Sequence, residues 1–308
     1  MKLHQDAQFT PTRHNVALLL SRYGLEITGY ELADSGIENC TVIVQATQGK
    51  YALRVYRRHK KSDGDIQKES DFVTYLADNE IPVAPPIKNL DGEDITHLED
   101  SGHIWQAILM QHMPGSHAEH YSGVLMTSLA TVQARMHTLA ASYATDKRFG
   151  QNITELREAP FIKLIADRAA LDSSRRSFVS RAENYLISLD EDLPSGLCHL
   201  DFGNGNVLSS NGTVTAVLDF DDLAQAPYVM CLAYTLWDIV YDLDLSGIAP
   251  YIKTYEEYRP LRSNEKSLLQ PLMLFRHYMI GCISIAGGHM DNAEFEKHLS
   301  LESKLLGH

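Results

Sequence analysis

Residues 197–222 read LCHLDFGNGNVLSSNGTVTAVLDFDD, and this stretch decides how the rest of the chain is interpreted. It places His199, Asp201, Asn206 and Asp219 in or beside one short predicted β-hairpin. Carboxylates beside an apolar run such as Ala-Val-Leu must be paired or bind a cation if they are buried. Magnesium takes few protein oxygens and keeps room for water and phosphate, so we expect Asn206 and Asp219 to bind Mg²⁺. Asp201 is then left to accept a proton from an attacking hydroxyl, or to orient it.

The spacing of these residues resembles a known catalytic pattern. His199-Leu200-Asp201 begins an HxDxxxxN sequence, in which Asn206 follows Asp201 by five positions, and Asp219 follows Asn206 by thirteen. Protein kinases space their catalytic Asp, metal-binding Asn and metal-binding Asp in this way. Because no Arg follows the His, HLDFGNGNV is more similar to the aminoglycoside phosphotransferase and choline kinase family. The resemblance implies an α+β, protein-kinase-like fold with a β-rich N-lobe and a mostly helical C-lobe. It also implies ATP-dependent phosphorylation of a small molecule.

The same resemblance assigns nucleotide-binding roles to the N-terminal part of the chain. Ser35–Asn39 is similar to the family's GxxN nucleotide loop, with Gly36 and Asn39 at its two fixed positions. Asn39 could equally be an ordinary turn residue. Arg54, in the predicted strand KYALRVY, stands where the family has Lys or Arg, and Glu69 resembles the helix Glu that pairs with it. A guanidinium can grip the α- and β-phosphates, although Arg54 alone would more often be a solvated strand residue.

Two further landmarks follow in the order that the family predicts. The segment ILMQHMPG resembles the hinge, in which the backbone of Gln111 and Met113 would bind the adenine edge. The predicted helix ending VQARMHTLA resembles the LxxLH segment, with His137 at the His position. One position departs from the pattern, because Cys231 stands where the family has an Asp that supports the catalytic loop. A neutral thiol accepts fewer hydrogen bonds than a carboxylate, so Asp221, Asp222 or Asp238 could have taken over that role.

The distribution of predicted elements agrees with two lobes. Strand-like runs dominate before Pro114-Gly115, and helix-like spacing dominates after it, which predicts an N-terminal nucleotide-binding lobe over 1–115 and a helical lobe over 116–308. Thr10 is the predicted N-cap of the first helix, which Gly24 ends. Strands are predicted over 30–34, 40–47, 50–56 and 103–110, and helices over 64–79, 125–139, 160–189 and 264–284.

Composition limits the possible partners and location. The 308 residues carry a formal net charge of −13, which argues against a broad nucleic-acid footprint and against docking on anionic lipid. The longest apolar run near the N-terminus, Val16–Leu20, is too short for a signal sequence or membrane span. Four cysteines in a chain of this length favour a reducing compartment over a disulfide scaffold. We therefore expect a cytoplasmic protein without nucleic-acid or membrane partners, and the sequence leaves the oligomeric state open.

The leading hypothesis is an ATP- and Mg²⁺-dependent kinase that phosphorylates a hydroxyl of an aminoglycoside, an amino alcohol or a homoserine-like metabolite. The C-terminal sequence YIKTYEEYRPLRSNEKSLLQPLMLFR vaguely resembles type II homoserine kinases. Tyr234, Trp237 and Asp238 could face an amine-bearing substrate, although ordinary core packing explains them more simply. Two alternatives are a pseudokinase that binds a nucleotide or partner, which only Cys231 supports, and a Ser/Thr protein kinase. The missing Arg and the absence of an APE-type segment count against the protein kinase.

Overall fold

The computed structural model describes residues 9–33, 39–57, 61–143, 163–165, 168–189 and 192–307. These residues fall into two compact units. The first comprises residues 1–116 together with 215–218, and the second comprises 117–214 together with 219–308.

The first unit is a helix-flanked sheet. Its elements are α1 (Arg13–Ser21), β1 (Ile27–Leu32), β2 (Cys40–Ala46), β3 (Gly49–Val55), α2 (Asp63–Asp78), β4 (Pro86–Ile87), β5 (Ile95–Asp100) and β6 (His103–Gln111). The strands form an antiparallel sheet in the order β1-β2-β3-β6-β4, and β5 also pairs with β6. Gly49 closes the β2–β3 hairpin at φ 147°, a backbone conformation that only glycine adopts without strain. Alternate residues of β2 and β3, such as Val42, Val44 and Leu53, enter a core shared with α1.

The two helices of this unit begin at side-chain caps. Thr12, not the predicted Thr10, caps α1, because its hydroxyl accepts a hydrogen bond from the Asn15 backbone N–H, and the Thr12 backbone N–H donates to the side-chain Oδ1 of Asn15. Thr10 instead offers its carbonyl to the Asn15 side chain. Ser62 caps α2 through the same reciprocal arrangement with Asp65. The predicted N-cap of α1 was wrong by two residues. Thr10 and Thr12 both flank Pro11, but only Thr12 lies three residues before Asn15, whose side-chain oxygen accepts a hydrogen bond from the N-cap backbone N–H.

The second unit is mainly helical. It contains α3 (Gly123–Ser142), α4 (Ser173–Glu183), β7 (Ser195–Cys198), β8 (Val207–Ser210), the first two residues of β9 (Thr213–Val217), β10 (Ala224–Pro227), α5 (Tyr228–Asp242), α6 (Ile248–Tyr258), α7 (Ser263–Gly287) and α8 (Asn292–Leu306). Strand β7 pairs with β10, and β8 pairs with β9 across Asn211-Gly212, both at positive φ as a tight hairpin requires. Of the predicted helix over 160–189, the described residues include α4, and the remainder lies partly outside the described ranges.

Helix α5 is the centre of this unit. All residues from Tyr228 to Trp237 are buried, and the helix packs against α6, α7 and β7. A helix that is apolar on every side must be surrounded by other elements. Among the described residues, one helix, α7, has the length and apolar composition to cross a membrane. Half of its most apolar window is buried in the fold, and it carries the buried Glu265 and Arg276, so we interpret it as a core helix.

Candidate active site

The predicted catalytic Asp201 lies in the loop between β7 and β8, where two other side chains hold it. The Asn206 amide donates hydrogen bonds to Oδ2 of Asp201 at 2.7 Å and to its backbone carbonyl at 3.0 Å. The Arg276 guanidinium donates to Oδ1 of Asp201 at 2.7 Å. Although both carboxylate oxygens are engaged, the Asp201 side chain is 42% exposed. The geometry therefore fixes the orientation of Asp201 and leaves it accessible to a small molecule.

The two predicted metal ligands lie at the same end of one hairpin. Asn206 immediately precedes β8, and Asp219 follows β9 by two residues. Because the Asn206 NH₂ group faces Asp201, its carbonyl oxygen is the atom that remains for a cation. Asp219 is exposed and accepts a hydrogen bond from the Asp221 backbone N–H at 3.3 Å. An amide oxygen and a carboxylate form a donor set that suits a hard cation such as Mg²⁺.

Strained backbone marks both segments that carry these residues. Leu200 has φ 60° and Asp219 has φ 58°, backbone angles that residues other than glycine rarely adopt. The buried His199 ring packs against Phe220 with centroids 4.7 Å apart, and His199 Nδ1 accepts a hydrogen bond from the Asp201 N–H at 3.3 Å. His199 thus links the loop that carries Asp201 to the segment after β9. Such strain persists only where neighbouring contacts hold the chain in place.

A buried arginine beside Asp201 was not found by sequence reasoning. Arg276 lies on α7, with its side chain 10% exposed and its guanidinium 4.9 Å from the centroid of Tyr234 and 6.0 Å from that of Trp237. Burial acts to lower the pKa of Arg276, but the nearby charges of Asp238 on α5 and of Asp201 raise it above its usual value. The only sequence signal was a charged residue inside the apolar helical run LMLFRHYMI, which indicates a buried partner but does not identify it.

Asp238 has an unusual protonation equilibrium. Burial raises the pKa of its carboxyl to about 7, Arg276 opposes that shift, and the charges of Asp201 and Asp242 add to it. Its side chain packs directly on the catalytic loop, because a Cβ at Gly203 would come within 2.5 Å of Asp238 Oδ2. A larger residue at position 203 would therefore displace Asp238 or the loop.

These groups line a small acidic cavity within the second unit. Its volume is about 250 Å³. The Tyr121 hydroxyl accepts a hydrogen bond from the Asn204 backbone N–H at 2.9 Å and closes one side of the cavity. The lining consists of Tyr121, Asp201, Gly203, Asn204, Gly205, Asn206, Asp238, Tyr241 and Asp242. Three carboxylates around so small a space favour a cationic occupant.

In the first unit, the cation that pairs with Glu69 is not the Arg54 that the sequence predicts. Glu69 is buried on α2, and its carboxylate lies 2.5 Å from Lys61 Nζ and 3.4 Å from the Tyr56 hydroxyl. Arg54 is buried in β3 with its guanidinium 5.4 Å from the centroid of the same tyrosine ring. The ion pair that the structure shows on Glu69 is thus with Lys61, and Arg54 is a neighbour across Tyr56. Lys61 was missed because it precedes the Ser62 cap and has no strand or helix pattern around it.

The remaining predicted nucleotide contacts lie at the ends of strands. Asn39 is buried, and its Oδ1 accepts a hydrogen bond from the Arg57 backbone N–H at 2.9 Å, which fixes the end of β3. Gln111 is the last residue of β6 and pairs in register with Tyr51, and Met113 follows it half-buried. Gly36 lies outside the described residues.

Comparisons with known proteins decide the family. The model of the phosphotransferase enzyme family (APH) matches residues 29–263. The chain belongs to this family. It is a small-molecule kinase, a phosphotransferase with an alcohol group as acceptor. The predicted family and the α+β, kinase-like fold class are confirmed.

Relatives within the APH family are consistent with this assignment. The homoserine kinase of Bradyrhizobium diazoefficiens is 24% identical over 266 residues, covering 84% of this chain and 79% of that relative. The homoserine kinase of Caulobacter vibrioides is 25% identical over 244 residues, covering 76% and 74%. Among solved structures, an amicoumacin kinase complex has a TM-score of 0.75 at 18% identity, covering 96% of this chain and 93% of the other. A microcompartment-associated aminopropanol kinase also has a TM-score of 0.75 at 18% identity, covering 95% and 94%.

Proposed function

We propose that this APH-family kinase transfers the γ-phosphoryl group of ATP to the hydroxyl of a small amino alcohol, with Mg²⁺ as the metal. The observation that carries the proposal is the acidic cavity beside Asp201. Its other carboxylates, Asp238 and Asp242, face a space in which Arg276 neutralises only part of the negative charge. A substrate ammonium would supply the missing positive charge.

The cavity, at about 250 Å³, has room for a molecule of a few carbon atoms. The names of relatives support a small substrate, since homoserine and aminopropanol each carry an amino group and a hydroxyl on a short carbon chain. An amino group on one carbon and a hydroxyl on a nearby carbon would let the ammonium contact Asp238 or Asp242 while the hydroxyl meets Asp201.

Asp201 would align the acceptor hydroxyl and receive its proton as the new P–O bond forms. Hydrogen bonds from Asn206 and Arg276 hold its carboxylate in a single orientation before the substrate arrives. Such preorganisation is the main contribution that a protein makes to phosphoryl transfer. Asn206 and Asp219 would hold Mg²⁺, which neutralises charge on the transferring phosphoryl group when it is bound.

The first unit would bind the nucleotide. Arg54 and the Lys61–Glu69 pair provide cations and an anchoring carboxylate for the phosphates, with Gly36 and Asn39 in the predicted phosphate loop. The backbone of Gln111 and Met113 would contact the adenine edge. The ordered position of Asn39 at the end of β3 supports this assignment, because it fixes the chain beside the predicted loop.

A product-identified substrate screen tests the proposal. Purified protein is incubated with ATP, Mg²⁺ and a panel of amino alcohols, and phosphate esters are identified by ³¹P NMR. We expect an O-phosphorylated amino alcohol, and the isosteric Asp201→Asn variant should lose turnover while its ATP affinity, measured by calorimetry, stays close to wild type. ATP binding with no phosphorylated product from any small molecule would favour the pseudokinase alternative. Loss of ATP binding in Asp201→Asn with turnover retained would contradict the assigned role.

A further inference from the structure

The acidic cavity beside Asp201 has no basic side chain in its described lining. Nine described residues line it, three of them are aspartates, and none is Lys, Arg or His. Two of the aspartates come from the same face of α5, because Asp238 and Asp242 are one helical turn apart. Asp238 is half-buried against Gly203, whereas Asp242 is exposed. The cavity therefore has carboxylates on both its buried and its exposed side.

Three basic side chains near this lining already have partners in the protein. Arg276 donates to the carboxylate of Asp201, and its side chain is only 10% exposed. Lys297 of α8 lies over the ring of a lining residue, with its Nζ 3.6 Å from the Tyr241 centroid. The ring of His117 donates from Nδ1 to a backbone carbonyl of the lining at 3.2 Å. Each of the three is thus engaged by a group other than a ligand.

A buried hydroxyl in the lining indicates what the cavity accepts. Tyr121 is only 4% exposed, and its hydroxyl oxygen accepts a hydrogen bond from the Asn204 backbone N–H at 2.9 Å. In the part of the chain that the structure describes, this hydroxyl donates to no acceptor. Because buried donors in proteins normally have an acceptor, an oxygen of the ligand is the expected partner of its proton. An alcohol supplies such an oxygen without a charge.

The charges in the lining also restrict what the ligand can carry beside its ammonium group. In serine or homoserine, a carboxylate and the ammonium share one carbon atom. An ammonium placed against Asp238 or Asp242 would bring that carboxylate close to the same aspartates. Like charges held together without a cation between them oppose binding. An amino alcohol without the carboxylate avoids this repulsion.

We propose that the acidic cavity discriminates against amino acids, so that this kinase phosphorylates amino alcohols that lack a carboxylate, and that Asp242 is a specificity-determining residue. The inference rests on the proposed function and narrows it, since homoserine also carries an amino group and a hydroxyl. Asp242 is selected because it is exposed in the lining, whereas Asp238 also packs against Gly203. A site that repels the wrong ligand gains specificity without tighter binding of the right one.

Matched compounds separate the charge of the carboxylate from its size. Ethanolamine and serine differ by the carboxylate alone, as do propanolamine and homoserine, and serinamide has nearly the volume of serine without the negative charge. We expect kcat/KM for each amino alcohol to exceed that for its amino acid on the order of 100-fold. Serinamide should lie within about 10-fold of ethanolamine. Serinamide as poor as serine, or homoserine as good as propanolamine, would overturn the inference.

Substitutions of Asp242 test its assigned role. Asp242→Arg should shift the ratio of kcat/KM values toward the amino acid by about 100-fold, and Asp242→Asn by about 10-fold. Glu257→Arg makes the same change of charge on the exposed surface of α6 and should keep the wild-type ratio. Tyr121→Phe should raise KM for both classes of compound and leave their ratio unchanged. A wild-type ratio in Asp242→Arg would overturn the role of this residue.

A binding measurement distinguishes this inference from the proposed function. Calorimetry is carried out with AMP-PNP and Mg²⁺ present, so that affinity is measured without turnover. Binding of propanolamine but not of homoserine, in a protein that phosphorylates neither, would support the inference and count against the proposed function. Phosphorylation of homoserine as fast as that of propanolamine would do the reverse. Binding of neither class would overturn both.

Discussion

The guanidinium of Arg276 lies 2.7 Å from the carboxylate of Asp201, although the two residues are 75 positions apart in the chain. Helix α7 thereby delivers a buried cation to the centre of the candidate active site. The pair means that the orientation of the proposed catalytic carboxylate is set by the packing of a core helix as well as by its own loop.

Arg276→Met should lower both activity and stability. The substitution keeps the apolar stem but leaves Asp201 and the half-buried Asp238 without their cation, and breaking a buried pair from one side typically costs about 3–5 kcal/mol. Because Asp201 is partly exposed, we expect a loss toward the lower end of that range in urea unfolding, with kcat reduced on the order of 100-fold. The control is Lys266→Met on the same helix, which removes an exposed pair with Glu256 and should change neither quantity much. Equal effects of the two variants would show that Arg276 has no special role.

Asp238 should make substrate binding depend on pH near neutrality. Its pKa of about 7 means that the carboxyl is neutral below that pH and charged above it. KM for an amino alcohol should therefore rise as pH falls through about 7, while KM for ATP should not follow the same profile. Asp238→Asn should raise KM for the amino alcohol and remove this dependence.

The raised pKa of Asp238 should make its charged form destabilise the folded protein above neutral pH. A carboxyl whose pKa is higher in the folded than in the unfolded protein favours folding at low pH and opposes it as pH rises toward the folded-state value. Asp238→Asn should therefore raise Tm at pH 8 and have little effect on Tm at pH 4. A lower Tm at pH 8 in this variant would mean that the charged Asp238 is net stabilising.

The two cations near Tyr56 can be ranked by their effects on nucleotide binding. Arg54 lies within a central strand, and Lys61 precedes α2 and pairs with Glu69. We expect Arg54→Met to raise KM for ATP by more than Lys61→Met, because a cation on a rigid strand is better positioned to bind phosphate. Steady-state kinetics with ATP as the varied substrate measures the difference. The reverse ranking would make Lys61 the phosphate-binding cation.

Two buried histidines should make the protein sensitive to mild acid. Burial lowers the pKa of His277 to about 3 and that of His298 to about 4, and their rings lie 4.9 Å apart. Their stabilising contribution is fully present above the unfolded-state pKa near 6.5 and is lost as pH falls toward the folded-state values.

The loss should amount to about 2 kcal/mol for each histidine between pH 7 and pH 5. Urea unfolding at the two pH values should show a smaller loss in His298→Gln than in wild type. The exposed His289 provides the control, since His289→Gln should keep the wild-type pH dependence. An unchanged pH dependence in His298→Gln would show that the pKa of this histidine is the same in the folded and the unfolded protein.

The sequence allowed the candidate catalytic segment to be located because its information is local. Asp201, Asn206 and Asp219 are separated by fixed numbers of residues around one hairpin, and the hairpin turn is marked by Asn211-Gly212. Helix α2, which carries Glu69, and helix α7, which carries Arg276, were also predicted from their apolar spacing, over 64–79 and 264–284. The first helix began at Thr12 instead of Thr10 because cap choice depends on a side-chain bond that the pattern does not specify.

The partner of Asp201 could not be predicted, because Arg276 comes from a distant part of the chain. Lys61 is near Glu69 in the sequence but was missed because it has no strand or helix pattern around it. Cys231 shows a different limit. The sequence shows that the expected Asp is missing, but the neighbours of the cysteine, among them Gln133, His137 and Cys198, are seen only in the structure.

We propose that the acidic cavity selects an ammonium group next to the reacting hydroxyl. The decisive comparison is kcat/KM for the best amino alcohol against kcat/KM for the alcohol in which a methyl group replaces the amine. We expect the amino alcohol to be preferred on the order of 100-fold or more at pH 8, because the analogue leaves Asp238 and Asp242 without a counter-charge. Equal kcat/KM for the two compounds, or a preference for the methyl analogue, would contradict it.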